Sequence, residues 1–304
     1  MIGFIVNPVS GNGKGLKTWR LLETNLTAKG ISYRVIFTEA ARDAIRHTAS
    51  FAVDSTITTI VAVGGDGTVH ECANGIYSAG SDKPLGYIPA GSGNDFARGF
   101  GIPSHPIDAL NLIIEEHTIL QADLIRYNDR IAINSVGIGF DGRIALVTNT
   151  APYKRWLNRI KLGKVAYVIS LIRVLATYQP CAVTLTVDGI EQHIKDVWLI
   201  AVANIPYYGG GMMICPQANP TNGMIEMCVV SGIGRFELLT VFPRVYKGTH
   251  TSHRAVKLLQ ASQIRVHSEH ALDIHMDGET AGTTPVELEV IPAAVKIVVP
   301  TALL

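Results

Sequence analysis

The stretch "TITTIVAVGGDGTVHE", Thr56 to Glu71, constrains the fold more than any other part of the chain. An unbroken apolar run suits a strand buried on both faces, which is the environment of a parallel sheet covered by helices. The run ends in two glycines, an aspartate and a third glycine, just where a helix-like segment begins. In an open α/β sheet such a turn lies at the carboxyl edge, where ligands bind. Glycine there permits positive φ and lets backbone N–H groups approach an anion with no Cβ in the way. The start of the helix adds partial positive charge. An aspartate among phosphates needs a cation between them, so Asp66 suggests a nucleotide carrying Mg²⁺.

The same alternation runs through the N-terminal part. Ile2–Val6 reads as a strand, "NPVSGNGKG" as a loop and Leu16–Ala28 as a helix. Ser32–Thr38 reads as a strand, Ala41–Phe51 as a helix, "LGYIPA" as a strand and "SGNDFARGF" as a loop entering a helix. Strands separated by helices of this length indicate βαβ units. After Asp123 the texture becomes a meander of alternating, antiparallel strands, with a hairpin at Asn128–Asp129, a glycine-rich bend and one helical insert over Lys164–Tyr178. We therefore expect an α/β domain over 1–124, with 293–304 packing back on it, and a β-rich domain over 125–292.

Composition narrows the partners. A chain 47% hydrophobic and 17% charged is folded, and a net charge of +1 provides no global field for nucleic acid, so no nucleic-acid partner is expected. The four cysteines, Cys72, Cys181, Cys215 and Cys228, show no C-x-x-C spacing, which suits thiols in a reducing compartment. No apolar run approaches the ~18 residues of a spanning helix, and the N-terminus lacks the pattern of a signal peptide. The expectation is a cytoplasmic protein whose membrane contact is peripheral, made transiently at the inner face.

Two further loops match the first. "NPVSG" follows the first strand and "PAGSGNDFAR", Pro89 to Arg98, follows the fourth, so three glycine-rich loops should converge on one sheet edge. Together with Glu71, Asn74–Gly75, "GIGFDG" (137–142) and "DGE" (277–279), they resemble the diacylglycerol kinase catalytic-domain family of lipid kinases, across essentially the whole chain.

That resemblance implies an N-terminal α/β nucleotide-binding domain with a parallel sheet, a C-terminal antiparallel β-sandwich, and ATP between the two domains. It assigns nucleotide contacts to Asn7, Pro8, Val9, Ser10, Gly11 and Thr38, to Gly64, Gly65, Asp66, Gly67, Thr68, Val69 and His70, and to Ser92, Gly93 and Asn94. His70 stands where the family carries asparagine and reads as a helical, solvent-facing side chain. Asp66, Asp95 and Asp123 would form an acidic cluster around a catalytic Mg²⁺ and its waters. Glu279 would be the general base on the acceptor hydroxyl and Asp66 the organiser of metal or water; without the resemblance, "MDGE" reads as a plain hairpin turn.

Relatives also hold a structural Mg²⁺ at a position matching Asn219, Asn222 and Met224. Here Asn222 replaces the only anionic ligand, so a weak or absent second metal is expected. Between Asp141 and Asp188 the chain has no acidic residue, and Arg155, Trp156, Arg159 and Lys161 suit contact with an anionic membrane. "PYYGGGMMICP" (Pro206–Pro216) is a candidate rim for acyl chains. Diacylglycerol is the first choice of acceptor. An NAD kinase and a non-catalytic nucleotide- or lipid-binding regulator are the competing functions, and an exposed sheet edge leaves a homodimer open.

Overall fold

The computed structural model describes residues 1–115, 117–150 and 163–301, with side chains from 169 onward in the last of these. The chain divides into two compact units, Met1–Leu124 together with the stretch from Pro292 onward, and Ile125–Ile291.

The first unit begins with β1 (Ile2–Val6), α1 (Ser10–Ala28), β2 (Tyr33–Phe37), α2 (Asp43–Val53), β3 (Thr59–Gly64) and α3 (Asp66–Ser78). It continues with β4 (Leu85–Pro89), α4 (Asp95–Gly99), α5 (Pro106–Ile114) and β5 (Thr118–Tyr127). Its sheet is parallel in the order β2-β1-β3-β4, with Val6 opposite both Phe37 and Val63, and Gly64 opposite Pro89. The C-terminal stretch adds another parallel neighbour, Ile297 opposite Leu85. The winding reverses between β1 and β3, and the crevice beyond the carboxyl ends of such a strand pair is where open α/β sheets bind ligands.

The apolar runs account for this sheet. Phe4, Ile5, Val6, Ile60 to Val63, Leu85 and Ile88 are all buried, as are Trp19, Leu22 and Leu26 on α1. Side chains of this size stabilise by about 1.5–3 kcal/mol each when buried. The helix α2 starts after Arg42, whose φ is +68°, and its first amides are met by Glu71 of α3: Arg42 N donates to Oε1 at 3.0 Å and Ala44 N to Oε2 at 3.1 Å. Glu71 is thus held as a cap on the neighbouring helix.

The second unit is antiparallel. The end of β5 turns through Asn128 (φ +55°) into β6 (Arg130–Ala132), with Tyr127 opposite Arg130. There follow β7 (Ser135–Gly139), α6 (Phe140–Thr150), a helix over Gly163–Thr177, β8 (Cys181–Val187), β9 (Ile190–Ala203), the short pair β10 (Tyr207–Tyr208) and β11 (Met212–Met213), and β12 (Ile225–Ser231). A helix over Arg235–Val241 runs into a 3₁₀ segment over Phe242–Lys247, before β13 (Val256–Ala261), β14 (Gln263–Ser268), β15 (Asp273–Met276), β16 (Glu279–Thr283) and β17 (Val286–Val299).

The long strand β9 organises the unit. Its first half pairs with β8, and its second half pairs with β7 on one side and β12 on the other. One core gathers Val136, Ile138, Val183, Leu185 and Ile264. A second lies under the helices and includes Phe140, Ile144, Val174, Leu175, Trp198 and Leu238. This is the β-sandwich-like architecture expected, but with more helix than the one insert read from the sequence. The "GIGFDG" bend is the start of α6, because Gly139 (φ +94°) ends the strand and Phe140 and Ile144, four apart, enter the second core.

Candidate functional site

In the first unit the three glycine-rich loops meet. A Cβ added at Gly91 would lie 2.5 Å from Gly65 Cα, and one at Gly65 would lie 3.2 Å from Gly91 Cα and 3.4 Å from Ser10 Oγ. A Cβ at Gly11 would overlap the Ala90 carbonyl oxygen. Residues after β1, β3 and β4 therefore touch one another at the switch point of the sheet, and side chains at these glycines would close the space. Gly11, Asn12 and Gly13 all have positive φ, so α1 becomes regular only beyond them, and the sequence reading of a loop ahead of Leu16 matches.

Polar contacts knit the loops. Asn7 Nδ2 donates to Thr68 Oγ1 at 3.3 Å and Val9 N to Asn7 Oδ1 at 3.2 Å. Thr38 follows β2, its amide donating to Val6 O at 2.9 Å. Asn94 adopts φ +54°; its Oδ1 accepts Gly91 N at 3.0 Å and its Nδ2 donates to Gly91 O at 3.3 Å. The buried Tyr87 hydroxyl shares its proton between Gly64 O at 3.1 Å and Asn94 Oδ1 at 3.2 Å. Burial, followed by the charges of Asp66 and Asp95, pushes the Tyr87 hydroxyl well above the usual phenol range. It is a fixed donor.

Pro8, Ser10, Gly65, Gly67, Gly93 and Asn94 are half-buried, Val9 and Ser92 exposed, and Thr68 and Val69 buried. At Gly67 nothing stands within 4 Å of an added Cβ, so its backbone borders open space. His70 differs from expectation: it is 3% exposed, packed beside Asn74 Nδ2 at 3.3 Å. The helix α3 lies between the sheet and α2, where a Cβ at Gly75 would meet Thr48 Cβ at 2.7 Å, so His70 has no solvent side to face.

The three aspartates occupy different settings. Asp66 opens α3 and its Oδ1 accepts Phe96 N, the second amide of α4, at 2.9 Å. Asp95 is buried, with Arg98 Nη1 at 2.5 Å. Asp123 is buried within β5, and its Oδ1 accepts Ala293 N at 2.8 Å. Among the described residues no group of three or more His, Cys, Asp or Glu side chains is arranged to hold a metal directly, so an ion shared by these aspartates would be reached in part through water. Arg98 and the Ala293 amide already engage two of the three. The chemistry that remains is an oxygen donor, Asp66, beside glycine-lined space. That fits Mg²⁺, which takes one or two carboxylates and completes its shell with water and phosphate oxygens.

In the second unit Glu279 opens β16, opposite Met276 across Asp277 (φ +48°) and Gly278 (φ +85°). Two left-handed residues make this a tight I′-type hairpin, the form Asp-Gly favours. The Asp277 carboxylate is a structural clamp that accepts Ile133 N at 2.9 Å, Asn134 N at 3.0 Å and Ser135 N at 2.8 Å. Among the described residues the half-buried Glu279 carboxylate takes part in no hydrogen bond.

Behind this turn lies a pair that sequence reasoning missed. His275 and Asp141 are both buried, with Nε2 3.6 Å from Oδ2, and Gly278 N donates to His275 Nδ1 at 3.4 Å. Tyr208 stacks on the imidazole at 6.1 Å. A Cβ at Gly137 would overlap both Asp141 Oδ2 and His275 Nε2, which explains the first glycine of "GIGFDG". The signal was a histidine on an otherwise inward-facing strand, next to the "DGE" turn.

Asn219 Oδ1 accepts Thr221 N at 3.0 Å and Thr221 Oγ1 at 2.8 Å, and Asn222 Oδ1 accepts Met224 N at 3.0 Å. These amides close the turns of their own loop. The loop is anchored by buried Glu226, whose Oε2 accepts Gln217 N at 2.9 Å and whose carboxyl burial pushes above the usual range. In the Pro206–Pro216 segment Met212, Ile214 and Cys215 are spent in the core under the helices, leaving Tyr207, Tyr208 and Met213 half-buried. Arg155, Trp156, Arg159 and Lys161 lie outside the described residues.

Comparisons with known proteins give the family and the fold. Residues 1–127 match the model of the diacylglycerol kinase catalytic domain, and 134–299 that of the YegS C-terminal NAD kinase beta sandwich-like domain. The chain is 32% identical over 302 residues to a diacylglycerol kinase of Mycobacterium tuberculosis strain H37Rv, covering 97% of this chain and 94% of that one. It is 26% identical to a diacylglycerol kinase of Bacillus subtilis strain 168, with 97% and 95% covered. A crystal structure from Bacillus anthracis strain Sterne, assigned as a candidate diacylglycerol kinase, is similar with a TM-score of 0.80 at 27% identity, over 100% of this chain and 96% of that one.

Proposed function

Because the chain belongs to the diacylglycerol kinase family of lipid kinases, we propose that it transfers the γ-phosphoryl group of ATP to the hydroxyl of diacylglycerol, forming phosphatidic acid. The observation that carries this reading is the meeting of Gly11, Gly65 and Gly91 at the switch point of a parallel sheet, with Asp66 at the start of α3. Phosphoryl transfer is mostly positioning and charge neutralisation. Backbone N–H groups bordering Gly65 and Gly67 take the phosphate oxygens, and Asn94 and Tyr87 hold the third loop in place. Asp66 would hold Mg²⁺ together with water, and a bound ion there would supply neutralisation of phosphate charge.

A primary alcohol does not ionise near neutral pH, so a carboxylate must take its proton as the new P–O bond forms. Glu279 fills that role, and the Asp277 clamp sets its turn. Asn7, Thr38 and Ser92 line the nucleotide through amide and hydroxyl groups. Asp95 and Asp123 act behind the loops, each through the partner described above. The second magnesium is not part of this reading, because Asn222 brings no charge and its amide oxygen already serves Met224 N. No helix among the described residues is long and apolar enough to cross a membrane.

The test is transfer from radiolabelled ATP to a panel of diacylglycerol, phosphatidylglycerol, a sphingoid base and a polyprenol in mixed micelles, with NAD as a further acceptor. Label in phosphatidic acid, abolished by Glu279→Gln, supports the proposal. Label in NADP, or ATP turnover unchanged by that substitution, contradicts it.

A further inference from the structure

The helix over Arg235–Val241 and the 3₁₀ segment that continues it are apolar on two faces. Leu238, Val241 and Val245 point into the core under the helices of the second unit. On the opposite side Phe236 is 87% exposed, Leu239 45% and Tyr246 51%. Phe236 and Leu239 are three apart on one helix face, so their side chains are neighbours. Phe236 and Leu239 lie outside the core cluster that the inward set fills, while Tyr246 touches Phe242 edge-on, with ring centroids 6.5 Å apart. Phe236 and Leu239 therefore give the helix a second, outward apolar face beside the one it turns to the core.

The charge around these side chains is one-signed. Between Met227 and Ser268 the only acidic residue is Glu237, while Arg235, Arg244, Lys247, Arg254, Lys257 and Arg265 are basic. From Arg235 to Lys257, five cations against one carboxylate leave a formal +4, in a chain whose total is +1. Glu237 is itself engaged by Arg254 at 3.4 Å and His253 at 3.4 Å, so it does not offset the free cations. Arg235 is committed to structure, donating to Leu175 O at 3.1 Å and Tyr178 O at 2.8 Å. Arg244 and Lys247 are exposed beside Tyr246, and long basic side chains there can lie flat while their heads remain in water.

We propose that this cap docks on an anionic lipid bilayer, with Phe236, Leu239 and Tyr246 entering the headgroup region and Arg244 and Lys247 pairing with lipid phosphates. Apolar tips ringed by cations match the layering of such a surface, with hydrocarbon beneath and anionic groups around. A nucleic acid would engage the cations but would leave Leu239 in water. The surface lies on residues separate from the proposed phosphoryl-transfer groups, so docking is measured without turnover and stands or falls apart from the reading of the site.

The experiment is co-sedimentation of the full chain with vesicles of phosphatidylcholine alone and of phosphatidylcholine with phosphatidylglycerol, with no ATP present. Wild type should bind the mixed vesicles and lose binding as salt rises. Phe236→Ser with Leu239→Ser, and separately Arg244→Glu with Lys247→Glu, should each weaken binding by roughly ten-fold or more. Thermal melting within a few degrees of wild type shows that each pair folds, and kinase activity on a dispersed short-chain diacylglycerol should be unchanged. Equal binding by either variant pair, no binding by wild type, or a dimer in sedimentation that the serine pair dissociates would each overturn the proposal.

Discussion

Gly65 and Gly91 sit back to back, so close that a Cβ on Gly91 would lie 2.5 Å from Gly65 Cα. The loops after β3 and β4 can approach each other this way only without side chains. Gly91→Ala must push them apart, at a cost of about 1–3 kcal/mol for overpacking. The expected result is a lower melting temperature together with weaker binding of a fluorescent ATP analogue. Unchanged nucleotide affinity would mean that the meeting of the loops is structural only.

Glu279→Gln keeps the size and most of the packing of the side chain but removes the proposed base. The expected loss in kcat is about 10²–10⁴-fold, with the KM for ATP little changed, because the proposed nucleotide contacts lie in the first unit. Steady-state kinetics at saturating lipid separate the two quantities. A rise in KM for ATP with kcat preserved would reassign the residue to nucleotide binding.

The loops were legible because glycine, asparagine and aspartate punctuate the carboxyl ends of uniformly apolar strands. Their order and spacing alone place "NPVSG", "GGDGT" and "GSGND" at one sheet edge. His70 was not legible. Periodicity assigns a side chain to solvent when a helix has one wet face, and α3 has little of one, with Thr68, Val69, His70, Cys72, Ala73, Gly75 and Ile76 all buried between sheet and α2. The Asp141–His275 pair was equally hidden, because contacts between residues 134 positions apart leave no local pattern. The helix over Arg235–Val241 is only seven residues long, too short for its apolar spacing to mark a face.

His250 should make stability depend on pH. It is 1% exposed, its Nε2 faces Ile214 O at 3.1 Å, and its Nδ1 has no partner among the described residues. Burial holds its pKa below the ordinary 6.5. The unfolded chain therefore takes up this proton first, and the stability present above pH 6.5 is lost as pH falls toward the depressed value. Urea unfolding between pH 7.5 and 5.5 should show this decline, and His250→Gln, which keeps a donor for Ile214 O, should flatten it. An unaltered slope would show that other groups cause it.

Cysteine reactivity should be uneven. Burial pushes the thiols of Cys72 and Cys228 up to about 12 and that of Cys215 well above its usual range, while Cys181 is only half-buried. Brief treatment of the native protein with a maleimide, followed by peptide mass analysis, should label Cys181 first and the others only after denaturation. Early labelling of Cys72 would mean that α3 opens readily beside the proposed phosphate loop.

Asp66 and the three loops are proposed to bind a nucleotide through Mg²⁺. Titration calorimetry of a non-hydrolysable ATP analogue tests it directly, in Mg²⁺ and in chelator, with wild type and Asp66→Asn. Saturable binding to wild type in Mg²⁺, weakened by roughly ten-fold or more either by chelator or by the substitution, is the predicted result. Equal binding in all conditions, or no binding by wild type, would contradict it.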